Sequence, residues 1–342
     1  AKLVCNKNPI TASPKTPASQ LLRKMRKYVI DQIPIVDNGA VVDLVLLQNL
    51  KTIPLSYPDI TQLETDAIKH VLATPYLSIG PAVKNFEKRV ARFLKVRHAI
   101  AVNSGTSGLH LCVRALGIKD GDEVITSPFS FIASANCILF ERAKPVFVDI
   151  DKNTLCINPD KIEKAITKTT KAILPIDIFG HPCDMDKIMR IAKKHNLAII
   201  EDACEAFGSE YNGKKIGSFG DCGVFAFYPN KQITTAEGGM IVTNNDKIAN
   251  LCKSMRNQGR DEGAGWLSHK ILGYNYRMSE LHAALGIAQM KRISILLKKR
   301  EKVAKLYNSM LKNISQINLP FTAPNVSISW FVYVIKLNTS FS

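Results

Sequence analysis

Hydrophobic and polar positions fall into two kinds of pattern along this chain. From Ser56 onward, helical-period stretches alternate with short apolar runs, as in an α/β domain built on a mainly parallel sheet. Thr61 and Glu64 are spaced as a capping box, ahead of Ala67, Ile68 and Val71 on one helix face. Phe86, Val90, Phe93 and Leu94 mark a second helix. His98–Val102 then reads as a buried strand running into AsnSerGlyThrSerGly at 103–108, with a helix through Leu109 to Ala115 behind it. Further strands are expected at Glu123–Thr126, Pro145–Ile150, Ala172–Ile176, Leu197–Glu201, Gly223–Phe227 and Met240–Thr243. Together they call for one large sheet. From about residue 290 a long basic helix is expected, then a loop and an apolar strand, TrpPheValTyrValIle, at 330–335. A chain that stopped on a newly begun strand would expose an unpaired edge, so this end is expected to be truncated.

The leading fifty residues follow another pattern. Leu21, Leu22 and Met25 suggest a helix, IleProIleValAsp at 33–37 a strand, and AsnGly at 38–39 a tight turn into a second strand over Val41–Leu47. Such a βαββ-like unit is too short to bury much core alone, so it is expected to pack on something else.

Composition narrows the class. At 342 residues with 46% hydrophobic content, the chain has ample material for a substantial core. No stretch approaches the roughly 20 apolar residues that a membrane-spanning helix needs, and the start has no signal-peptide pattern, so a cytoplasmic place is expected. The eight cysteines are scattered without a CxxC pair, which points to reduced thiols and to neither a disulfide framework nor a metal site. A formal charge of +17 raises nucleic acid as a partner. The basic residues sit mostly on predicted helices beside acids or apolar residues, however, which favours solvated helix faces and leaves room for an anionic small substrate.

Three stretches carry chemistry. SerGlyThrSerGly at 104–108 follows a strand and opens a helix, where free N–H groups and the helix dipole make a phosphate cradle or, equally, a simple capped turn. GluAspAlaCysGluAla at 201–206 puts Asp202 at the carboxyl end of a buried strand, where open α/β sheets bind ligands and where an acid also serves as a helix cap. PheAlaPheTyrProAsnLys at 225–231 puts Lys231 in a turn after an apolar strand. A partly desolvated lysine reacts with carbonyls, because burial disfavours the ammonium form; most loop lysines are merely solvated. A phosphate cradle, a strand-end carboxylate and a lysine are together what pyridoxal phosphate requires.

Residues from about 52 to 342 resemble the DegT/DnrJ/EryC1/StrS family of sugar aminotransferases. The resemblance runs collinearly through IleProLeuSerTyrProAspIle at 53–60, the GlyThrSer turn, AspGluValIleThrSer at 122–127, GluAspAlaCysGluAla, TyrProAsnLysGlnIleThrThr at 228–235, GluGlyGlyMetIleValThr at 237–243 and GlyTyrAsnTyrArgMetSerGlu at 273–280. It implies an α/β, fold-type-I pyridoxal-phosphate-dependent transferase with a large, mainly parallel seven-stranded sheet over 52–290 and a truncated C-terminal small domain over 291–342. It also implies transfer of an amino group from glutamate or glutamine to a nucleotide-linked keto-sugar, for surface polysaccharide, glycan or secondary-metabolite biosynthesis, with no nucleic acid or membrane as partner.

By the same resemblance Lys231 bonds the cofactor and shuttles the proton, and Asp202 pairs with the pyridine nitrogen. Gly105, Thr106 and Ser107 hold the phosphate, Phe131 in PheSerPheIleAla at 129–133 stacks on the ring unless it is plain core, and Glu205 lies near the ring's O3′. Asn275 reaches the phosphate of a neighbouring subunit, making a homodimer with shared sites. Two positions depart from the family: Ala226 stands where many members have serine, and Glu205 where His or Gln is common. Lysine at 231 argues against the dehydratases of the superfamily, which have histidine there.

AsnLysAsnProIleThrAlaSerProLysThrPro at 6–17 with IleProIleValAspAsnGly at 33–39 resembles one motif of a cystathionine-β-synthase-type (CBS) module over residues 1–50. Leu46 and Asn49 stand where that family often has Thr or Ser and then Asp for a ribose, which favours a packing or dimerising role over nucleotide sensing. Two rival readings remain at this stage: a ligand-sensing regulator with a degenerate enzyme domain, against which Lys231 and Asp202 speak, and a nucleic-acid binder based on charge alone.

Overall fold

The computed structural model describes residues 9–51, 56–261, 263 and 267–338. Residues 6–8 and 53–55 of the two leading motifs, and Cys5, lie outside the described residues. Contacts divide the chain into Ala1–Tyr57 and Pro58–Ser342.

In the first unit, helix α1 (Ala18–Tyr28) precedes the antiparallel strands β1 (Gln32–Asp37) and β2 (Ala40–Leu46), and helix α2 (Leu47–Lys51) closes the unit. Asn38 and Gly39 both have positive φ, which is what a two-residue hairpin turn demands. Ala12 adds a parallel bridge to Ile35, and Leu21, Met25, Ile33 and Ile35 form a small core of their own. The expected βαββ order is present, with the first strand reduced to that bridge.

The second unit begins with α3 (Gln62–Leu72) and α4 (Pro81–Leu94). The capping box is formed: Thr61 N–H donates to Glu64 Oε2 at 2.7 Å. Then come β3 (His98–Val102), α5 (Gly105–Ala115), β4 (Glu123–Thr126), α6 (Ala133–Leu139), β5 (Lys144–Phe147), α7 (Pro159–Ala165), β6 (Thr170–Ile173), α8 (Met185–His195) and β7 (Ala198–Asp202). Two short strands, β8 (Glu210–Tyr211) and β9 (Lys214–Lys215), precede β10 (Cys222–Ala226) and β11 (Gly239–Thr243). Helices α9 (Asp246–Arg256), α10 (Glu280–Lys291) and α11 (Ile293–Leu311) follow, with β12 (Ile317–Asn318), β13 (Val326–Ser327) and β14 (Lys336–Leu337) as short terminal pieces.

All seven expected strands join one sheet in the order β3-β11-β10-β7-β6-β4-β5, with only β11 running against its neighbours. The residues of the apolar strands are mostly buried, as in an α/β sheet covered by helices, except in the edge strand β5, where Phe147 is exposed. Ile293 and Leu296 of α11 belong to this same core.

One expectation fails. Residues 330–335 do not form a strand: Trp330 has φ 52°, and the carbonyls of Trp330 and Phe331 accept hydrogen bonds from Arg300 instead of a neighbouring strand. The run is apolar because it packs as a wall, with the Tyr333 ring stacked on Trp330 and Tyr307. Extended pairing resumes only at β14, opposite β12.

Candidate functional site

The carboxyl ends of β3, β7 and β10 point the same way, so the segments leaving them meet at one edge of the sheet. There they line a cavity of about 470 Å³ that contains Ser104, Gly105, Thr106, Phe131, Ser134, Asp202, Cys204, Glu205, Ala226, Tyr228, Lys231 and Phe331.

The β3 edge supplies the start of α5. Ser104 caps it, and Ser107 N–H donates to Ser104 Oγ at 3.1 Å while Ser107 Oγ donates to Asn103 Oδ1 at 2.6 Å. Ser107 is thereby buried in the cap, and the cavity wall is left to Ser104, Gly105 and Thr106. Position 105 has to be glycine on packing grounds: a Cβ there would stand 2.8 Å from Ala226 Cβ and 3.0 Å from Cys204 Sγ.

From β7 comes Asp202, only 5% exposed. Its Oδ2 accepts from Ser134 Oγ at 2.6 Å and its Oδ1 from Cys204 N–H at 3.2 Å, so the buried carboxylate is held at both oxygens. Three residues on, Glu205 Oε2 accepts from Phe179 N–H at 2.8 Å, and Oε1 lies 3.4 Å from Lys231 Nζ. Burial pushes the Glu205 carboxyl above the ordinary carboxylate range, against the pull of Lys231. Burial likewise pushes the Cys204 thiol well up, which marks it as a packing thiol and no nucleophile.

The turn after β10 presents Lys231 with its side chain only 12% exposed. Besides Glu205 it meets the ring of Phe331, whose centroid is 4.0 Å from Nζ. Phe131 is 74% exposed at the cavity, which rules out its alternative as plain core.

The structure thus brings together Gly105, Thr106, Phe131, Asp202, Glu205 and Lys231. It leaves Ser107 behind the cap and places Asn275 on an exposed loop, backbone-paired with Asn257, away from this chain's own cavity. Ser134, Tyr228 and Phe331 escaped sequence reasoning, since nothing in their local pattern separates them from core or surface residues.

These side chains suit pyridoxal phosphate. The first turn of α5 offers free N–H donors beside a glycine cradle that a Cβ would fill, the buried carboxylate can pair with a ring nitrogen, and the lysine can bond an aldehyde carbon. No described helix is long and apolar enough to cross a membrane.

Comparison with known proteins agrees. Residues 58–342 match the profile of the DegT/DnrJ/EryC1/StrS aminotransferase family, and residues 1–53 that of the CBS domain. The chain is 41% identical over 298 residues to GDP-perosamine synthase of Caulobacter vibrioides, covering 86% of this chain and 80% of that one. Among solved structures it resembles Helicobacter pylori PseC, an aminotransferase involved in the biosynthesis of pseudoaminic acid, with TM-score 0.81, 34% identity and coverage of 84% and 78%. Bacillus subtilis NtdA with bound cofactor PMP aligns with TM-score 0.76, 34% identity and coverage of 82% and 65%.

Proposed function

This chain belongs to the DegT/DnrJ/EryC1/StrS aminotransferase family, and from that premise we propose that it aminates a nucleotide-linked keto-sugar. It is a pyridoxal-phosphate-dependent enzyme of sugar transamination. The observation that carries the reading is the meeting of the α5 start, Asp202 and Lys231 around one cavity.

When bound, pyridoxal phosphate carries the amino group and stabilises the carbon that loses its proton. Gly105 and Thr106 would hold its phosphate through backbone N–H groups, and Phe131 would lie against its ring. Asp202, oriented by Ser134 and Cys204, would supply the counter-charge to the ring nitrogen. Lys231 would be the residue that holds the cofactor's aldehyde carbon, and its Nζ, placed in the cavity beside Glu205, would be the group that moves the proton. Glu205 holds that nitrogen in place by its charge.

The donor is glutamate or glutamine, and the product goes to a surface polysaccharide, glycan or secondary metabolite, made in the cytoplasm. Asn275 serves the phosphate site of a second copy, so the working unit is a homodimer, and the CBS-like unit packs or dimerises. Incubating the protein with pyridoxal phosphate, either donor and a panel of nucleotide-linked 3- and 4-keto-sugars tests this. Mass spectrometry should find one of them with its carbonyl replaced by an amine. Turnover of free keto acids alone, with every sugar refused, would contradict the substrate class.

A further inference from the structure

Lys231 is fixed by contacts that the scheme above does not use. Arg300 of α11 donates from one guanidinium nitrogen to the carbonyls of Trp330 at 3.1 Å and Phe331 at 3.0 Å. Its other nitrogen donates to the carbonyls of Asn230 at 3.3 Å and Lys231 at 2.6 Å. One planar fork therefore ties the main chain of the lysine turn to that of the wall opposite it. Burial disfavours the Arg300 charge, and the partners its guanidinium meets are backbone carbonyls. The four carbonyls are what offset its lost solvation.

The wall itself is pinned from the other side. Gln232 Nε2 donates to Ser329 Oγ at 2.8 Å and to the Glu205 carbonyl at 2.5 Å, and Ser329 N–H donates to Ser209 Oγ at 3.0 Å. Trp330 lies in the left-handed region at φ 52°, which a bulky residue keeps only where its surroundings enforce it. Gly180 passes so close that a Cβ on it would stand 3.2 Å from both Trp330 N and the Glu205 carbonyl. The outcome of these ties is local: the Phe331 ring and the Glu205 carboxylate flank Lys231 Nζ at 4.0 and 3.4 Å.

We propose that Arg300 is a positioning residue for Lys231, joining the lysine turn to the 329–331 wall so that the amine is held between Phe331 and Glu205. A lysine on a four-carbon stem otherwise samples many rotamers, and proton transfer needs one of them. The inference rests on Lys231 being the catalytic lysine.

The test uses holoenzyme carrying Arg300→Met, which keeps bulk without donors, and Arg300→Lys, whose single ammonium cannot span both carbonyl pairs. Three quantities are read: kcat and KM, the rate at which hydroxylamine strips the visible cofactor band, and Tm. For Arg300→Met, kcat should fall at least about tenfold with KM within about threefold, and stripping should accelerate at least about threefold. Arg300→Lys should lie between, and Phe331→Leu, which leaves Arg300 in place, should accelerate stripping in the same direction. Folded Arg300 variants with wild-type kcat and stripping rate would overturn the proposal, whatever their Tm. Arg300 variants that do not fold would overturn it too, since the residue would then hold the fold and not the lysine. A cofactor band that survives Lys231→Ala would instead sink the reading of Lys231 itself.

Discussion

Gly105 and Ala226 touch across the start of α5 with no room for another carbon: a Cβ on the first would stand 2.8 Å from the Cβ of the second. Ala226 has no hydroxyl to offer, so the proposed phosphate site rests on the backbone donors at the start of α5. Gly105→Ala must push Ala226 or Cys204 aside at this turn, and it should weaken pyridoxal phosphate binding at least about tenfold, the value of one charge-assisted hydrogen bond, while near-ultraviolet dichroism shows whether the shift stays local. Unchanged affinity in a cofactor titration would remove this turn from the phosphate site.

Asp202 should matter to rate more than to retention. Asp202→Asn keeps the shape and the partners Ser134 and Cys204 but loses the charge. The expected result is a kcat at least about 100-fold lower with cofactor affinity changed far less. Ser134→Ala, which frees one carboxylate oxygen, should cost about tenfold in kcat. A normal kcat in Asp202→Asn would take the residue out of the mechanism.

Why some of this was legible and some not follows from the range of the signals. β4 was placed at its observed ends because buried parallel strands are short apolar runs between turns. Lys231 and Asp202 could be found because each is marked by its own neighbours, a strand end and a turn. Helix α10 went unseen: Ala283, Ala284, Leu285, Gly286 and Ala288 are all buried or nearly so, and a helix covered on most sides shows no amphipathic period. The run 330–335 was misread for the converse reason, since its apolar residues serve a cavity wall held by Arg300 thirty positions away. Phe331 and Ser134 meet Lys231 and Asp202 only through the tertiary fold, where a single sequence carries no signal.

Acid should expose the anchor of α3. Glu64 is fully buried, which opposes its charge, yet hydrogen bonds from Thr61, Arg292 and Gln289 win and pull its carboxyl down to about 2. A depressed folded-state value means stability that is present above pH 4.5 and lost as pH falls toward 2. Glu64→Gln should therefore destabilise the protein by up to about 3 kcal/mol at neutral pH. The gap from wild type in denaturant melts should narrow as pH drops through that window, and a gap independent of pH would contradict the assignment.

Asn275 is exposed on its own chain, and the shared-site reading requires it to complete the partner's phosphate site. Loss of such a bond costs about 1.5–3 kcal/mol, or one to two decades in cofactor affinity. Mixing inactive Lys231→Ala with inactive Asn275→Asp should restore part of the activity, because one site in a mixed dimer is then built from unmutated residues. If the subunits demonstrably exchange and no activity returns, or if Asn275→Asp is active alone, Asn275 only caps its local turn.

The most direct measurement is the visible spectrum and turnover of Lys231→Ala beside wild type, in the presence of pyridoxal phosphate, glutamate or glutamine and an accepted keto-sugar nucleotide. The account predicts a folded variant that lacks the lysine-linked cofactor band and transfers no amino group, with Lys231→Arg equally inactive because a guanidinium stays protonated and cannot attack an aldehyde. Substantial turnover by Lys231→Ala without added amine would contradict it.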